Sequence, residues 1–271
     1  MSRAASTFVS VLILFMTSTA AGQNSPPSEN LKSVFNPHVF EGESGEKLGY
    51  RMMRPENEST AQPDQKYPLL LFLHGYGERG DDNTLQLIHL EEFGTPATRE
   101  NYPAFVVLPQ CPAIDGQYLT PKLDPKKDTE FEDEPSRPLS LVMGLLDELT
   151  AELPIDEDRV YIMGLSTGGY GVWDLAMRQP DRFAAAIPIC ASADPSRASS
   201  IAHIPSWIFH GGDDQVVLPE HSRTMVKALR EAGGTPIYTE YEGIGHDSWV
   251  PTFKNRLMWD WLFAQRLSAQ R

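Results

Sequence analysis

A serine flanked by glycines stands between an apolar run and a helix-like stretch. Residues 160–163 are Val-Tyr-Ile-Met, and they lead directly into 164–168, Gly-Leu-Ser-Thr-Gly. The stretch from Tyr170 to Arg178 then has helical character. A strand–turn–helix of this form is so tight that glycines must flank the serine, and it holds the hydroxyl out at the end of a strand. The arrangement predicts Ser166 as a nucleophile for acyl transfer, whereas a plain Gly/Ser turn would carry no chemistry.

The base that such a serine needs must be one of seven histidines. Enzymes that use this turn have the order serine, acid, histidine along the chain. His246 follows both Ser166 and an acidic loop, within a glycine-flanked segment, and we expect it to be the base. His210 is expected to hold the turn that follows it. The remaining histidines are interpreted as solvated helix positions, His89 and His221, or as loop and hairpin residues, His38, His74 and His203.

Two adjacent acids, Asp213 and Asp214, come between the serine and the histidine. They follow an apolar run, Trp-Ile-Phe, so they lie where a strand is predicted to end. A carboxylate that orients the imidazole is the third part of such a nucleophilic site. Only one of two neighbouring side chains can point at the histidine, and the residues alone leave the choice open. A site with two carboxylates for general acid and base catalysis is the alternative interpretation.

A glycine-rich segment follows the apolar run Pro-Leu-Leu-Leu-Phe-Leu. Residues 74–80 are His-Gly-Tyr-Gly-Glu-Arg-Gly. Glycines let the backbone approach a substrate carbonyl, so the backbone N–H groups of Tyr76 and Thr167 are predicted to form an oxyanion hole. The side chains of Tyr76, Trp249 and Tyr118 are candidates for lining a substrate pocket, and ordinary aromatic packing is the equal alternative.

These residues need a scaffold that brings several strand ends together. After a hairpin over 39–53, apolar strand-like runs alternate with helical stretches. This alternation favours an α/β fold, a mostly parallel twisted sheet with helices on both faces. Ligands bind at the carboxyl ends of such strands. The predicted strands are 68–73, 104–108, 160–163, 184–189, 206–210 and 236–241, and the predicted helices are 84–92, 138–153, 170–178, 219–232 and 253–267, with a turn at 155–158.

Residues 1–21 have the form of a secretory signal peptide. Arg3 gives a positive start, residues 8–16 are an apolar core, and small residues end the segment. The apolar run is shorter than the ~20 residues of a membrane span, so we expect a secreted or periplasmic protein with no membrane span. Residues 22–33 are polar and contain proline, which predicts a linker or N-terminal arm. Residues 34–271 are predicted to be a single catalytic domain.

The composition disfavours some partners and leaves the two cysteines undecided. The formal net charge of −14 makes nucleic acid and anionic membrane surfaces unfavourable partners. Cys111 and Cys190 both follow predicted strands and could pair in an exported protein, or they could be two small buried thiols. Their spacing does not suggest a metal site. Residues 116–137 are a charged, proline-containing excursion, too polar for an amphipathic lid.

Taken together, these segments resemble the α/β-hydrolase superfamily, in particular its dienelactone hydrolase and prolyl-oligopeptidase-like esterase branch, with the "predicted peptidase" and phospholipase/carboxylesterase groups. The resemblance implies an α/β-hydrolase fold with Ser166 as nucleophile, His246 as base and no metal or organic cofactor. In the family pattern His-Gly-x-x-Asp-x-x-Val the acid falls on Asp214. Thr167 departs from the methionine frequent there, but only its N–H is needed. The match covers 71–80, 109–112, 164–173, 210–217 and 245–249.

The function implied by this resemblance is hydrolysis of a carboxylic ester, either a small molecule or polysaccharide-linked, through an acyl-enzyme. A serine peptidase of the prolyl-oligopeptidase type is one alternative, although the chain has no room for the large extra domain of that group. A non-catalytic carbohydrate-binding module on the same scaffold is another, although it would not need serine, acid and histidine together. The acyl and alcohol groups of the substrate stay open.

Overall fold

An eight-stranded sheet runs through the part of the chain that the structure describes. The computed structural model describes residues 26–60, 62–113 and 130–270, so the predicted signal peptide, Tyr118 and most of the 116–137 excursion lie outside the described residues. The strands are β1 (Asn36–Glu41), β2 (Lys47–Met53), β3 (Tyr67–Leu73), β4 (Phe105–Pro109), β5 (Ile155–Leu165), β6 (Ala185–Ile189), β7 (Trp207–Gly211) and β8 (Ile237–Tyr241).

The strand order is β1-β2-β4-β3-β5-β6-β7-β8. The pairings β1–β2 and β2–β4 are antiparallel, and all the others are parallel. Every residue of β3, β4 and β6 is buried, which explains their continuous apolar runs, because both faces of a parallel sheet are covered. The predicted α/β-hydrolase fold, with its N-terminal hairpin and mostly parallel sheet, is therefore confirmed.

Helices cover both faces of this sheet. One face is packed by apolar residues of α3, α4, α5 and α6, and the other by those of α1, α7, α8 and residues 85–93. Helix α3 shows why the sequence pattern predicted a helix. Its buried leucines recur every three or four positions, and Ser136 caps its first turn. The helices are α1 (Glu29–Val34), α2 (Pro96–Asn101), α3 (Arg137–Glu152), α4 (Thr167–Arg178), α5 (Ala198–Ile201), α6 (Pro219–Glu231), α7 (Trp249–Phe253) and α8 (Arg256–Ala264).

The end of the predicted linker or N-terminal arm packs on the domain. Within 22–33, the structure describes residues 26–33, and α1 begins there. Leu31 is fully buried in the core, and Ser28 caps the helix while its own N–H donates to Glu91. The arm is thus attached by one apolar side chain and a small polar contact, and the packed unit begins before residue 34.

Three predicted elements differ from the structure. Residues 84–92 form turns and one short 3-10 segment, Leu85–Leu87, instead of an α-helix. The backbone hydrogen bonds here join residues three apart, such as Leu90 N–H to the Leu87 carbonyl. The predicted turn at 155–158 belongs to β5, where a bulge in the pairing with β3 accommodates its polar residues. The predicted helix 253–267 is divided between α7 and α8, because the Asn255 side chain caps the start of α8.

The two cysteines do not pair. Cys111 and Cys190 are both free and buried. They follow β4 and β6, which are three strand positions apart in the sheet, roughly 14 Å at the usual spacing, whereas a disulfide needs Cα atoms within about 7 Å. Of the two interpretations, two small buried thiols is the correct one. No helix in the described ranges is both long and apolar enough to cross a membrane.

Candidate active site

Ser166 occupies a sharp turn between β5 and α4. Its backbone has φ 51° and ψ −123°, a left-handed conformation that costs a non-glycine residue on the order of 1 kcal/mol or more. The two flanking glycines are sterically required. A Cβ on Gly164 would lie 2.5 Å from the Gly168 carbonyl oxygen, and one on Gly168 would lie 2.0 Å from that of Leu73. The turn therefore holds the hydroxyl clear of the sheet, as the sequence predicted.

Ser166, His246 and Asp214 form one line of hydrogen bonds. His246 Nε2 is 3.0 Å from Ser166 Oγ, and His246 Nδ1 is 2.7 Å from Asp214 Oδ2. A carboxylate can only accept, so Nδ1 carries the proton and donates it to Asp214, while Nε2 accepts from the serine hydroxyl. The structure thus brings together the three residues that the sequence singled out. Their order and geometry are those of a nucleophile, a base and an orienting acid.

The choice between the two adjacent acids is decided by burial. Asp213 is exposed, while Asp214 is fully buried. Oδ1 of Asp214 accepts the N–H groups of Val216 and Val217, at 2.8 and 3.0 Å. Burial alone would raise the pKa of the Asp214 carboxyl, but hydrogen bonds from His210, His246 and the Val216 N–H outweigh it and hold that pKa well below its ordinary value. Asp214 is therefore a carboxylate at neutral pH.

His210 contacts the same Asp214 oxygen as His246 does. Its Nε2 is 2.9 Å from the Val217 carbonyl oxygen and 3.4 Å from Asp214 Oδ2, and its Nδ1 is 2.7 Å from Ser222 Oγ. Both neighbours of Nε2 are acceptors, so this nitrogen carries the proton. His210 holds the turn after β7, as expected, and also donates to the acid, which was not expected.

The loops that carry the acid and the histidine are joined by their backbones. The N–H of Gly212 donates to the Tyr241 carbonyl at 2.8 Å, and that of Asp213 to the Ile244 carbonyl at 2.9 Å. A Cβ on Gly211 would lie 2.0 Å from the Gly245 carbonyl oxygen. Only glycine permits this approach, so Gly211 sets the separation between Asp214 and its histidine.

The glycine-rich segment after β3 passes close to the serine, since a Cβ on Gly75 would lie 3.7 Å from Ser166 Cβ. Its 3-10 turn, Tyr76–Glu78, begins at the next residue, and Thr167 is the first residue of α4. N–H groups in the first turn of a helix have no partner within the helix, so those of Tyr76 and Thr167 are suited to bind a developing negative charge. Arg79 stacks on the Tyr76 ring at 3.4 Å and donates to the Tyr76 carbonyl, which holds the turn.

His74 and Gln110 fix this turn to the neighbouring strand end. His74 Nδ1 donates to the Gly75 carbonyl at 2.6 Å, and its Nε2 accepts the Cys111 N–H at 2.9 Å. Burial lowers the pKa of His74, which favours the neutral ring that these two bonds need. Gln110 Nε2 donates to the Glu78 carbonyl at 3.1 Å. The interpretation of His74 as loop architecture is correct.

Trp249, a predicted substrate contact, lies beside His246. The two rings are perpendicular with centroids 5.6 Å apart, and the indole is 9% exposed. Tyr76 is 39% exposed at the oxyanion turn. Tyr118 lies outside the described residues, so its predicted contact is untested. Trp249 thus lies next to His246, and Tyr76 lies at the oxyanion turn.

Sequence reasoning missed the positions of three polar residues. His89 has a side chain only 10% exposed and contacts the Trp249 ring, with centroids 5.2 Å apart, and His221 is 6% exposed. Both were expected to be solvated, and that expectation is wrong. Glu78 is also buried, with Oε1 3.5 Å from His89 Nε2. Burial opposes its ionisation, but the hydrogen bond from His89, with smaller contributions from nearby groups, keeps the pKa of Glu78 below its usual range.

Cys190 lies close beneath the three candidate catalytic residues. Its sulfur and single ligand atoms of Asp214 and His246 all lie within 4.8 Å of one another, a proximity that the sequence spacing did not suggest. Cys, Asp and His are all zinc ligand types. However, Asp214 and His246 already bond each other, and burial raises the pKa of the Cys190 thiol, so it stays protonated. The donor set is therefore poorly suited to a resident metal.

Comparisons with known proteins identify the family of the chain. Residues 42–269 match the model of a family named Esterase and described as "Putative esterase". The structure of a thermostable esterase matches with 41% identity and a TM-score of 0.79 over 86% of this chain, and the match spans 64% of that longer chain. A ferulic acid esterase (17% identity, TM-score 0.62, 84% of this chain and 97% of that one) and a puromycin hydrolase mutant (14%, 0.64, 84% and 39%) share the fold. A search of curated proteins found no match.

Proposed function

Because this chain belongs to the esterase family of α/β-hydrolases, we propose that it is a carboxylic ester hydrolase that works through Ser166, His246 and Asp214. The observation that carries the proposal is the unbroken hydrogen-bond path from Ser166 Oγ through both nitrogens of His246 to Asp214. A binding module on this scaffold would gain nothing from that path. The alignment of all three groups therefore favours catalysis over simple binding.

Acylation begins when Ser166 Oγ attacks the ester carbonyl carbon. His246 Nε2 takes the hydroxyl proton as the bond forms, and the carbonyl oxygen becomes an oxyanion. The N–H groups of Tyr76 and Thr167, at the start of two helical turns, donate hydrogen bonds to that oxyanion. The imidazolium then gives its proton to the leaving alkoxide, and the alcohol departs.

Deacylation repeats these steps with water. His246 removes a proton from the water as it attacks the acyl-enzyme, and it then gives that proton to the Ser166 oxygen as the carboxylic acid leaves. Asp214 keeps the proton of His246 on Nδ1 and stabilises the imidazolium by its charge, and it remains ionised throughout because of its four hydrogen-bond donors. Every group in this cycle belongs to the chain, so the proposed mechanism requires no metal or organic cofactor.

The proposed substrate is a small-molecule or polysaccharide-linked carboxylic ester. His246 protonates the leaving alkoxide, so the alcohol part lies on the side of Trp249, whose ring contacts that of His246. The acyl part then lies toward the oxyanion turn at Tyr76. Tyr118 is retained as a proposed pocket residue on sequence grounds. Nucleic acid stays an unfavourable partner because of the strong negative charge.

Mass spectrometry after treatment with a fluorophosphonate tests the proposed nucleophile. A single adduct on Ser166, absent from Ser166→Ala and much slower in His246→Gln, is the expected result. An intact, folded protein that takes up no probe would contradict the proposal and favour the binding-module interpretation. A matched pair of acyl substrates, one ester and one amide of the same acid, separates an esterase from a peptidase, and turnover of the amide alone would contradict ester hydrolysis.

Export is proposed from the sequence of residues 1–21. The positive start, short apolar core and small residues before position 22 are the supporting features. Expression of the full chain with analysis of the mature N-terminus is the test. A mature protein in the medium or periplasm that starts near residue 21 or 22 is expected, and a cytoplasmic protein that retains the apolar core would contradict export.

A further inference from the structure

A buried contact between a carboxylate and an imidazole lies next to the proposed oxyanion hole. Glu78 is 8% exposed, and its Oε1 is 3.5 Å from Nε2 of His89. A Cβ on Gly75 would lie 2.9 Å from Glu78 Oε2 and 3.7 Å from Ser166 Cβ. Glu78 is also only two residues from Tyr76, the proposed oxyanion donor. A carboxylate therefore lies close to the point where the reaction develops negative charge.

This carboxylate on its own would oppose the reaction. A negative charge repels an oxyanion, and the repulsion is strong in a site with little water. The hydrogen bond from His89 lowers the pKa of Glu78, so this carboxyl group is ionised although burial opposes its charge. In the described part of the chain, His89 is the side chain within ion-pair distance of Glu78. The electrostatics of the oxyanion hole thus depend on whether His89 is there to balance Glu78.

The backbone of His89 indicates that this contact is maintained at a cost. His89 has φ 76°, a left-handed conformation that non-glycine residues adopt infrequently and that persists where the surroundings enforce it. Its ring is held between Glu78 and Trp249, whose ring in turn contacts His246. Strained residues of this kind cluster at functional sites. The pair therefore connects the oxyanion turn to the wall beside the base.

We propose that His89 is a positioning residue that neutralises Glu78 and so protects the oxyanion from a buried negative charge. His89 does not touch the substrate in this role, and it acts through Glu78. The inference rests on the proposed ester hydrolysis and deepens it by adding an electrostatic component outside the three catalytic residues. Its consequence is that removing the imidazole is harmful only while the Glu78 carboxylate is present.

A double-mutant cycle tests this directly, with His89→Asn, Glu78→Gln and the double variant. Asn tolerates the left-handed backbone, so His89→Asn removes the ring with little added strain. A unit charge at about 7 to 12 Å in a medium with an effective dielectric constant of about 20 changes a rate roughly ten- to fifty-fold, and we expect the uncovered charge to lower kcat by that amount. KM changes less than about threefold, because the charge opposes the transition state more than the neutral substrate. Glu78→Gln alone stays within about threefold of the parent protein.

The double variant distinguishes an electrostatic role from a structural one. With Glu78 neutral, loss of His89 uncovers no charge, so kcat is expected to recover to within about fivefold of the parent. A double variant as slow as His89→Asn, or slower, would show that the pair is only a tether and would overturn the proposal. His89→Asn with the parent kcat would overturn it as well. The control is His203→Asn, a histidine in the loop before β7 whose ring contacts the Pro180 carbonyl.

Counting active sites keeps this test separate from the proposed function. Rates are expressed per fluorophosphonate-labelled Ser166, and thermal melting checks that each variant is folded. If the parent protein neither labels nor turns over esters, the proposed function fails. If the parent is active and the cycle shows no recovery in the double variant, only the role of His89 fails.

Discussion

The two ends of the sheet use charge in opposite ways. At the carboxyl end, Asp214 is fully buried and accepts four hydrogen bonds. At the amino end, the ion pairs are at least partly exposed. Arg182 and Asp147 are 2.5 Å apart with the carboxylate 69% exposed, and Arg159 meets Asp156 at 2.6 Å. A cleft of about 820 Å³ also opens there, lined largely by such charged residues.

The contrast shows that neither the number of charges nor the size of a cleft marks the functional end. Exposed ion pairs contribute little because water already solvates both partners, so the amino end can change without much effect. A buried carboxylate must have every oxygen satisfied, because an unpaired buried charge costs several kcal/mol. Each bond to Asp214 is therefore a constraint on where its loop can be. The predictions below set variants at the carboxyl end against a variant at the amino end.

Ser166→Ala is expected to have the largest effect. Removal of the nucleophile lowers kcat/KM by about four to six orders of magnitude, which is the range for serine hydrolases that lose this oxygen. The melting temperature stays within a few degrees of the parent because Ala keeps the same backbone strain and loses only one hydrogen bond. Steady-state kinetics and thermal melting are the measurements. Retention of even a tenth of the activity would contradict Ser166 as nucleophile.

Asp214→Asn is expected to lower kcat/KM by about three to four orders of magnitude. An amide can donate to His246 Nδ1, which would put the ring proton on Nε2 and leave no acceptor for the Ser166 hydroxyl. The comparison variant is Asp213→Asn, at the exposed neighbour, which is expected to stay within about twofold of the parent. Equal losses in both variants would contradict the assignment of the acid to Asp214.

Gly211→Ala is expected to lower both activity and stability. Its Cβ would meet the Gly245 carbonyl oxygen at 2.0 Å, so the loops of Asp214 and His246 must separate. We expect kcat to fall by about 10²-fold, since a misplacement of about 1 Å carries such a cost. Gly77→Ala is the matched control, because none of the described residues apart from its chain neighbours lies within 4 Å of its Cβ position. A Gly211→Ala protein with parent kinetics would contradict this role.

The pH dependence of stability in the acid range tests the buried carboxylate of Asp214. The pKa of Asp214 is lower in the folded protein than in the unfolded chain. Its contribution to stability is therefore complete above the ordinary carboxyl pKa of about 4 and is lost as the pH falls below that value. Asp214→Asn removes this contribution. Between pH 7 and about pH 3, the melting temperature of Asp214→Asn should consequently fall less steeply than that of the parent. Parallel curves would contradict a lowered pKa of Asp214 in the folded protein.

Arg182→Ala, at the amino end, is expected to have the smallest effect. Its partner Asp147 is mostly exposed, so the pair contributes no more than about 1 kcal/mol and the melting temperature should shift by less than about 4 °C. Activity toward esters should be unchanged. A loss of activity would show that the two ends are coupled and would weaken the comparison from which these predictions start.

The sequence was most informative where local geometry constrains residue type. The turn around Ser166 requires glycines on both sides, and the burial of β3, β4 and β6 requires continuous apolar runs. Those patterns made the fold and the three central residues predictable. The order of residues along the chain then identified His246 among seven histidines.

The sequence was least informative where function depends on packing between distant segments. His89 follows leucines with helix-like spacing, and nothing in that spacing signals a left-handed residue or a neighbour such as Trp249, which lies 160 positions further on. Glu78 was part of a recognised segment, but a glutamate in a glycine-rich turn is usually solvated. The choice between Asp213 and Asp214 also needed the fold, because adjacent residues differ only in which way the loop turns them.

The backbone bonds from Gly212 and Asp213 to the loop of residues 241–244 have a consequence for hydrogen exchange. Segments that share such bonds open together, as one cooperative unit. The amide protons of Gly212 and Asp213 should therefore exchange at matching rates, and both should slow together when an inhibitor bonds to His246. The acid and the base are, in this sense, one cooperative unit, and Ser166 on its separate turn belongs to another.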